Sequence, residues 1–123
     1  MNKSDKITIV DFQKLDLRIG TVTKAEVPEW SHWVIKLTVD LGEEIGTKTI
    51  FAGMMKFYNP KDFEDKQFPF VINIEPKKIG PEGDYSEGMM LAADVVEDKE
   101  KPEEGRPVLF ALSEKVPNGS KVR

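Results

Sequence analysis

The chain has 123 residues, 39% of them hydrophobic and 33% charged, which bounds it to one domain with a modest core and excludes disorder on composition. It contains no cysteine and one histidine, His32, so a disulfide framework, a thiolate nucleophile and a cysteine zinc site are excluded, and neither metal site nor catalytic residues are expected. Acids outnumber bases 22 to 18, a net charge of −4, where nucleic-acid binders usually carry a basic footprint. No apolar run approaches the ~18–20 residues that cross a bilayer. Met1–Lys6 has no apolar signal core, so a cytoplasmic location without membrane contact is the expectation.

Thr8-Ile9-Val10-Asp11 has the form of a capping box with Asp in place of the usual Glu, and predicts a short helix through Phe12–Leu15. Asp16–Val27 reads as a first long strand, with Leu17 and Ile19 inward, Arg18 outward and Gly20 marking a bend or bulge. After the loop Pro28–His32, residues Trp33, Ile35, Leu37, Val39 and Leu41 alternate with Val34, Lys36, Thr38 and Asp40. By that pattern Trp33 opens the inward set and only Trp30 is exposed. Gly42–Gly46 is a turn and Thr47–Ala52 a third strand. Asn59 as N-cap, with Pro60 at the first helical position, predicts a helix start.

Phe68, Phe70, Ile72 and Ile74 alternate as the buried face of a fourth strand, which Pro76 ends by removing a ladder donor. Asn73 then points away from the core. Gly80, Pro81 and Gly83 make a loop, and Gly88–Ala93 is a fifth strand. Residues 94–104, with six acids and two lysines, read as a solvated loop. Pro107–Leu112 is a late apolar strand and Pro117–Ser120 a turn.

The blocks N-I-E-P-K-K (Asn73–Lys78) and S-E-G-M-M-L-A-A (Ser86–Ala93) resemble the signature of the tRNA-binding domain family. Asp11–Val22, Lys36–Glu44 and Val116–Val122 resemble further blocks of that family in the same order, so the resemblance covers most of the chain. It implies an all-β fold: a five-stranded OB-fold barrel with a short N-terminal helix, a capping helix between strands three and four plugged by Phe63, and extra C-terminal strands. One domain spanning residues 1–123 follows, with the barrel at about 15–96 and an extension at about 97–123. In stand-alone family members the N-terminal helix and late strands pair two copies, which implies a homodimer through Phe12, Leu15, Val108, Leu109, Phe110 and Leu112.

Asn73, Lys77, Lys78, Ser86 and Met89 gather an amide, two cations, a hydroxyl and a thioether around one loop, a surface for polar edges and negative charge. In the family the matching positions line the surface that takes tRNA, which implies a non-catalytic tRNA binder without cofactors. Lys36 joins them because such barrels hold ligands on strands two and three. This chain departs from the family at Glu75, where the pattern has Lys. It departs again in the longer loop Gly80–Tyr85 and in Ser31-His32-Trp33-Val34, where the pattern has A-D-K-L. Tyr85 is expected to pack within its loop.

Two further readings stay open. Leu41–Lys48 and the P-E-x-x-x-x-x-I-K-L form of Pro28–Leu37 resemble a chaperone-like branch that binds unfolded or export-bound polypeptide. The other is a partner that delivers tRNA to methionyl-tRNA synthetase on another chain.

Overall fold

The structure is a computed structural model that describes residues 5–123; Met1–Ser4, part of the polar N-terminal stretch noted above, lie outside the described residues. The capping box forms. Thr8 Oγ1 accepts from the Asp11 N–H at 3.1 Å, and Asp11 Oδ2 accepts from the Thr8 N–H at 3.3 Å. With Thr8 as N-cap the helix α1 starts at Ile9 and spans Ile9–Phe12, not Phe12–Leu15. One turn is too short to propagate by itself, and the backbone at Lys14 and Asp16 is held elsewhere.

Strand β1 is Leu17–Glu26, β2 Ile35–Asp40, β3 Thr47–Ala52, β4 Gln67–Val71, β5 Lys77–Ile79, β6 Asp84–Ser86, β7 Met89–Met90, β8 Ala92–Val95 and β9 Arg106–Leu109. Five of them form one antiparallel sheet in the order β3-β2-β1-β4-β7. The sheet curls until its edges meet: the Glu87 N–H donates to Thr49 O at 2.8 Å, and the Phe51 N–H donates to Ser86 Oγ at 3.0 Å. The result is the nearly closed five-stranded barrel of the OB-like fold. Ile35, Leu37, Val39, Leu41, Val22, Ile50 and Phe70 fill it with no solvent exposure.

Several local expectations are corrected. The bulge in β1 falls at Thr23, where pairing with β2 shifts register between Val22 and Lys24. Gly20 serves close approach instead: a Cβ there would lie 2.6 Å from Val39 Cγ1 and 2.7 Å from Leu41 Cδ2. Between β3 and β4 the capping element is a 3-10 turn, Pro60–Asp62, with Asp62 Oδ2 accepting from the Asn59 N–H at 2.7 Å. Phe63 follows it fully buried, edge-on to Tyr58 and tilted against Phe68, so the plug is present although the helix is not.

Strand β4 ends at Val71, well before Pro76, because the Ile72 N–H turns to Asp16 O at 2.9 Å. Ile74 is consequently exposed rather than buried. The fifth strand divides at Leu91. Its N–H still bonds Pro69 O at 3.0 Å on the β4 side, after which β8 swings out to pair with β9. Asp94 and Val95 therefore lie in a strand, not in a solvated loop, and β9 stops at Leu109 rather than Leu112. Leu109 and Ala92 pack against the core, and Tyr58 Oη donates to Pro107 O at 2.9 Å.

The C-terminal segment is stitched onto β1. Ile19 donates to Ser120 O at 2.9 Å, Gly119 donates to Ile19 O at 2.7 Å, and Val122 donates to Leu17 O at 2.9 Å. The Gln67 amide brackets Val116, donating to its carbonyl at 2.7 Å and accepting from its N–H at 3.0 Å. Arg18 is drawn into the same seam. Its Nε donates to Asp16 Oδ1 at 2.6 Å and its Nη1 to Gly119 O at 3.1 Å. The hydrogen bond to Asp16 raises its pKa above the ordinary arginine value.

Candidate functional site

The stretch read from sequence as a glycine loop is a β-ribbon. Lys77 faces Ser86, Lys78 faces Tyr85 and Ile79 faces Asp84 across β5 and β6, and Gly80 and Gly83 take positive φ at the turn. The ribbon leans on the first loop. A Cβ on Gly80 would overlap the Trp30 ring, so only glycine lets the turn close over that indole. Trp30 in turn meets Trp33 edge-on at 5.9 Å and Phe51 at 6.2 Å between ring centroids.

Trp33 reverses the expectation set by the alternation: it is 52% exposed, and Val34 is buried. The cause is Ser31. Its hydroxyl accepts from the Val34 N–H and donates to Val34 O, both at 2.9 Å, which tightens the loop and delays the strand until Ile35. The indole of Trp33 is thereby presented beside the ribbon.

Between loop and ribbon lies an open cleft of about 280 Å³. Trp33, Phe51, Ile74, Ile79 and Met89 give it apolar walls, while Glu75 and Lys77 supply its charged side chains. Lys77 and Ile79 are alternate residues of β5 and both line the cleft, so one face of the ribbon turns into it and Lys78 with Tyr85 lies on the other. Tyr85 is 53% exposed, not packed away within its loop.

The residues singled out from sequence therefore separate into two kinds. Lys77, Ser86 and Met89 line the cleft; Asn73, Lys78 and Lys36 do not. Asn73 is a clasp, its Nδ2 donating to Lys14 O at 2.7 Å and its Oδ1 accepting from the Asp16 N–H at 2.8 Å. Ser86 is buried, accepting from the Phe51 N–H and donating to Gly88 O, both at 3.0 Å. Lys77, Lys78 and Lys36 form no ion pair among the described residues, in contrast to Lys48, which reaches Glu87 at 3.6 Å. Lys36 lies across from Phe51 on the outer face of β2 and β3. Trp33 and Ile79 were missed because period-two counting cannot see a loop tightened by a serine or a ribbon folded from a polar stretch.

Of the residues expected at a subunit interface, Leu15, Phe110 and Leu112 are exposed, while Phe12, Val108 and Leu109 are half-buried within the chain itself. Among the described residues no cluster of three or more His, Asp or Glu could hold a metal ion, and no helix is long and apolar enough to cross a membrane.

A small antiparallel barrel whose first loop and last connection frame a cleft beside strands two and three has the oligonucleotide- and oligosaccharide-binding type of architecture. Residues 17–121 match the family described as "Putative tRNA binding domain", and the chain belongs to that family. It is 34% identical over 121 residues to methionine–tRNA ligase 1 of Bacillus anthracis, a match covering 98% of this chain and 16% of the ligase. The chain thus spans about one-sixth of the length of the curated relatives it matches. A methionyl-tRNA-synthetase-related protein from Pyrococcus horikoshii superposes with a TM-score of 0.83 at 32% identity, covering 98% of this chain and all of that one. The chaperone CsaA of Bacillus anthracis superposes at 0.77 with 35% identity, covering 97% of this chain and all of that one.

Proposed function

We propose that the chain binds tRNA without catalysing a reaction on it, holding the backbone at the β5–β6 ribbon and a nucleotide in the adjoining cleft. The observation that carries this reading is the ribbon itself: two lysines with no ion-pair partner among the described residues, set on either face beside an exposed tryptophan. Lysines hold phosphates and fix register, while an aromatic wall takes an unstacked base. Lys36 extends the cationic track, and Met89 offers a soft apolar contact. Asn73 and Ser86 act by positioning the ribbon. With a net charge of −4, affinity rests on this local arrangement rather than on bulk attraction.

The test is a tRNA titration across salt concentrations with the parent chain and with Lys77→Ala/Lys78→Ala. Binding should weaken as salt rises, with a log–log slope lowered by about 1–2 in the double variant. No binding at low salt sinks the reading.

One observation favours a second reading. The cleft is mostly apolar in an acidic protein, which suits an extended polypeptide. Saturable binding of a reduced, alkylated unfolded protein in the absence of tRNA binding would establish it. Delivery of tRNA to methionyl-tRNA synthetase is the remaining possibility, and co-purification with that enzyme tests it. The same proposal includes a two-fold dimer, supported by the exposed Ile9, Val10, Leu15, Phe110 and Leu112. Sedimentation giving a concentration-independent 13.9 kDa species would remove it.

A further inference from the structure

Glu75 is the residue that does not fit a plain phosphate site. It stands where the family pattern has a lysine, and it lines the same cleft as Lys77 and Trp33. A carboxylate only accepts hydrogen bonds, and a phosphodiester oxygen likewise only accepts. The two repel, so a cleft holding Glu75 is a poor seat for backbone. Its complement is a planar, apolar-faced group that presents donors at its edge. An unstacked nucleobase has that form.

The four bases differ at the edge Glu75 would meet. Guanine carries two adjacent donors, N1–H and the N2 amino group, spaced for the two oxygens of one carboxylate. Adenine and cytosine each present a single amino donor next to a ring nitrogen that accepts and so opposes the carboxylate. Uracil offers one N–H between two accepting carbonyls. Guanine also presents O6 beside its donors, an acceptor that the Lys77 ammonium can meet.

The walls agree with this. Trp33 is half exposed and braced edge-on by Trp30, so it offers a stacking surface held in place before ligand arrives. Ile74 and Met89 are 39% and 48% exposed, and both line the cleft. Its volume of about 280 Å³ lies just below the ~300–1,000 Å³ typical of ligand pockets, which suits one base rather than a chain of them. Lys78, on the opposite face of the ribbon from Lys77, lies outside the cleft that Glu75 lines and suits a neighbouring phosphate.

We propose that the Trp33–Glu75–Lys77 cleft selects a single unpaired guanine, with Trp33 stacking on the base, Glu75 accepting from N1–H and N2–H, and Lys77 donating to O6. This deepens the tRNA-binding reading and rests on it, with Lys78 keeping the phosphate contact and Lys77 turned to the base, so that the double lysine variant lowers the salt slope by about 1.

The experiment measures affinity for four single-stranded hexaribonucleotides, U-U-U-X-U-U with X as G, A, C or U, alongside whole tRNA. The guanine oligonucleotide should bind about tenfold more tightly than the other three, within the discrimination a bidentate base contact supplies. Glu75→Gln should bring the guanine affinity to within about twofold of the others. Glu75→Lys should raise affinity for all four at low salt through its charge while abolishing the preference. Trp33→Ala should weaken all four by about 5- to 150-fold, the range base stacking supplies, without changing their order. If tRNA binds but the oligonucleotides are ranked equally, the guanine inference is overturned and the tRNA reading survives. If neither RNA binds, both fall. A cleft that takes a Leu- and Phe-rich peptide and shows no base preference overturns the inference in favour of polypeptide.

Discussion

Two seams close this barrel, and they use polar side chains in opposite ways. At the C-terminal seam each is engaged internally: Gln67 brackets Val116, Thr21 Oγ1 donates to Asn118 Oδ1 at 2.6 Å, and Arg18 bridges Asp16 and Gly119. At the ribbon seam the division runs within a few residues of chain. Asn73 and Ser86 tie down backbone, while Glu75, Lys77 and Lys78 carry charge that no ion pair among the described residues answers. Polar groups that stabilise a fold are saturated by it. Those left unpaired beside an apolar cleft are free for a ligand to meet.

This contrast can be broken at either seam. The largest effect is expected for Gln67→Ala, which leaves the Val116 N–H and C=O unbonded inside a part-buried seam. Loss of about 1–3 kcal/mol in urea unfolding should result, with tRNA affinity unchanged. A loss of binding as large as that of the Lys77→Ala/Lys78→Ala variant would show that the seams are not separate. Asn73→Ala comes next, at about 1 kcal/mol, because its partners Lys14 O and Asp16 N–H lie nearer solvent. Its tRNA affinity should fall only modestly, as a positioning residue's does, and salt dependence should keep its slope.

Lys77→Ala/Lys78→Ala should leave stability within about 0.5 kcal/mol while weakening tRNA binding, the mirror image of Gln67→Ala. The smallest effect concerns pH. The Arg18 pKa is raised in the folded chain by its hydrogen bond to Asp16, so its contribution is fully present below the unfolded arginine value and fades only as pH rises through the still higher folded value. Urea unfolding from about pH 7 to pH 10 should therefore show no loss that Arg18→Gln removes.

Much of this was legible along the chain. Ile35, Leu37, Val39 and Leu41 alternate as a half-buried strand must, and they are core. Thr8 and Asp11 announced their capping box, and Phe63 its plug. Lys77 and Lys78 could be placed at an exposed bend because Pro76 and the glycines beside them leave little alternative. The errors share one physical origin. Ile74 fits the period of β4, yet the strand ends sooner because Ile72 and Asn73 are captured by residues 14–16, more than fifty positions away. Trp33 fits the period of β2, yet Ser31 holds it outside.

Hydrophobic period, turn chemistry and caps act over a few residues, so most strands and the exposed lysines follow from sequence by itself, and the family resemblance adds the all-β barrel. Which polar groups those strands would consume is settled only when distant segments meet. The tertiary structure alone decided that Asn73 and Ser86 are clasps, that Trp33 faces solvent, and that Glu75 shares a cleft with it, because a hydrogen bond or a cleft needs both its sides in place.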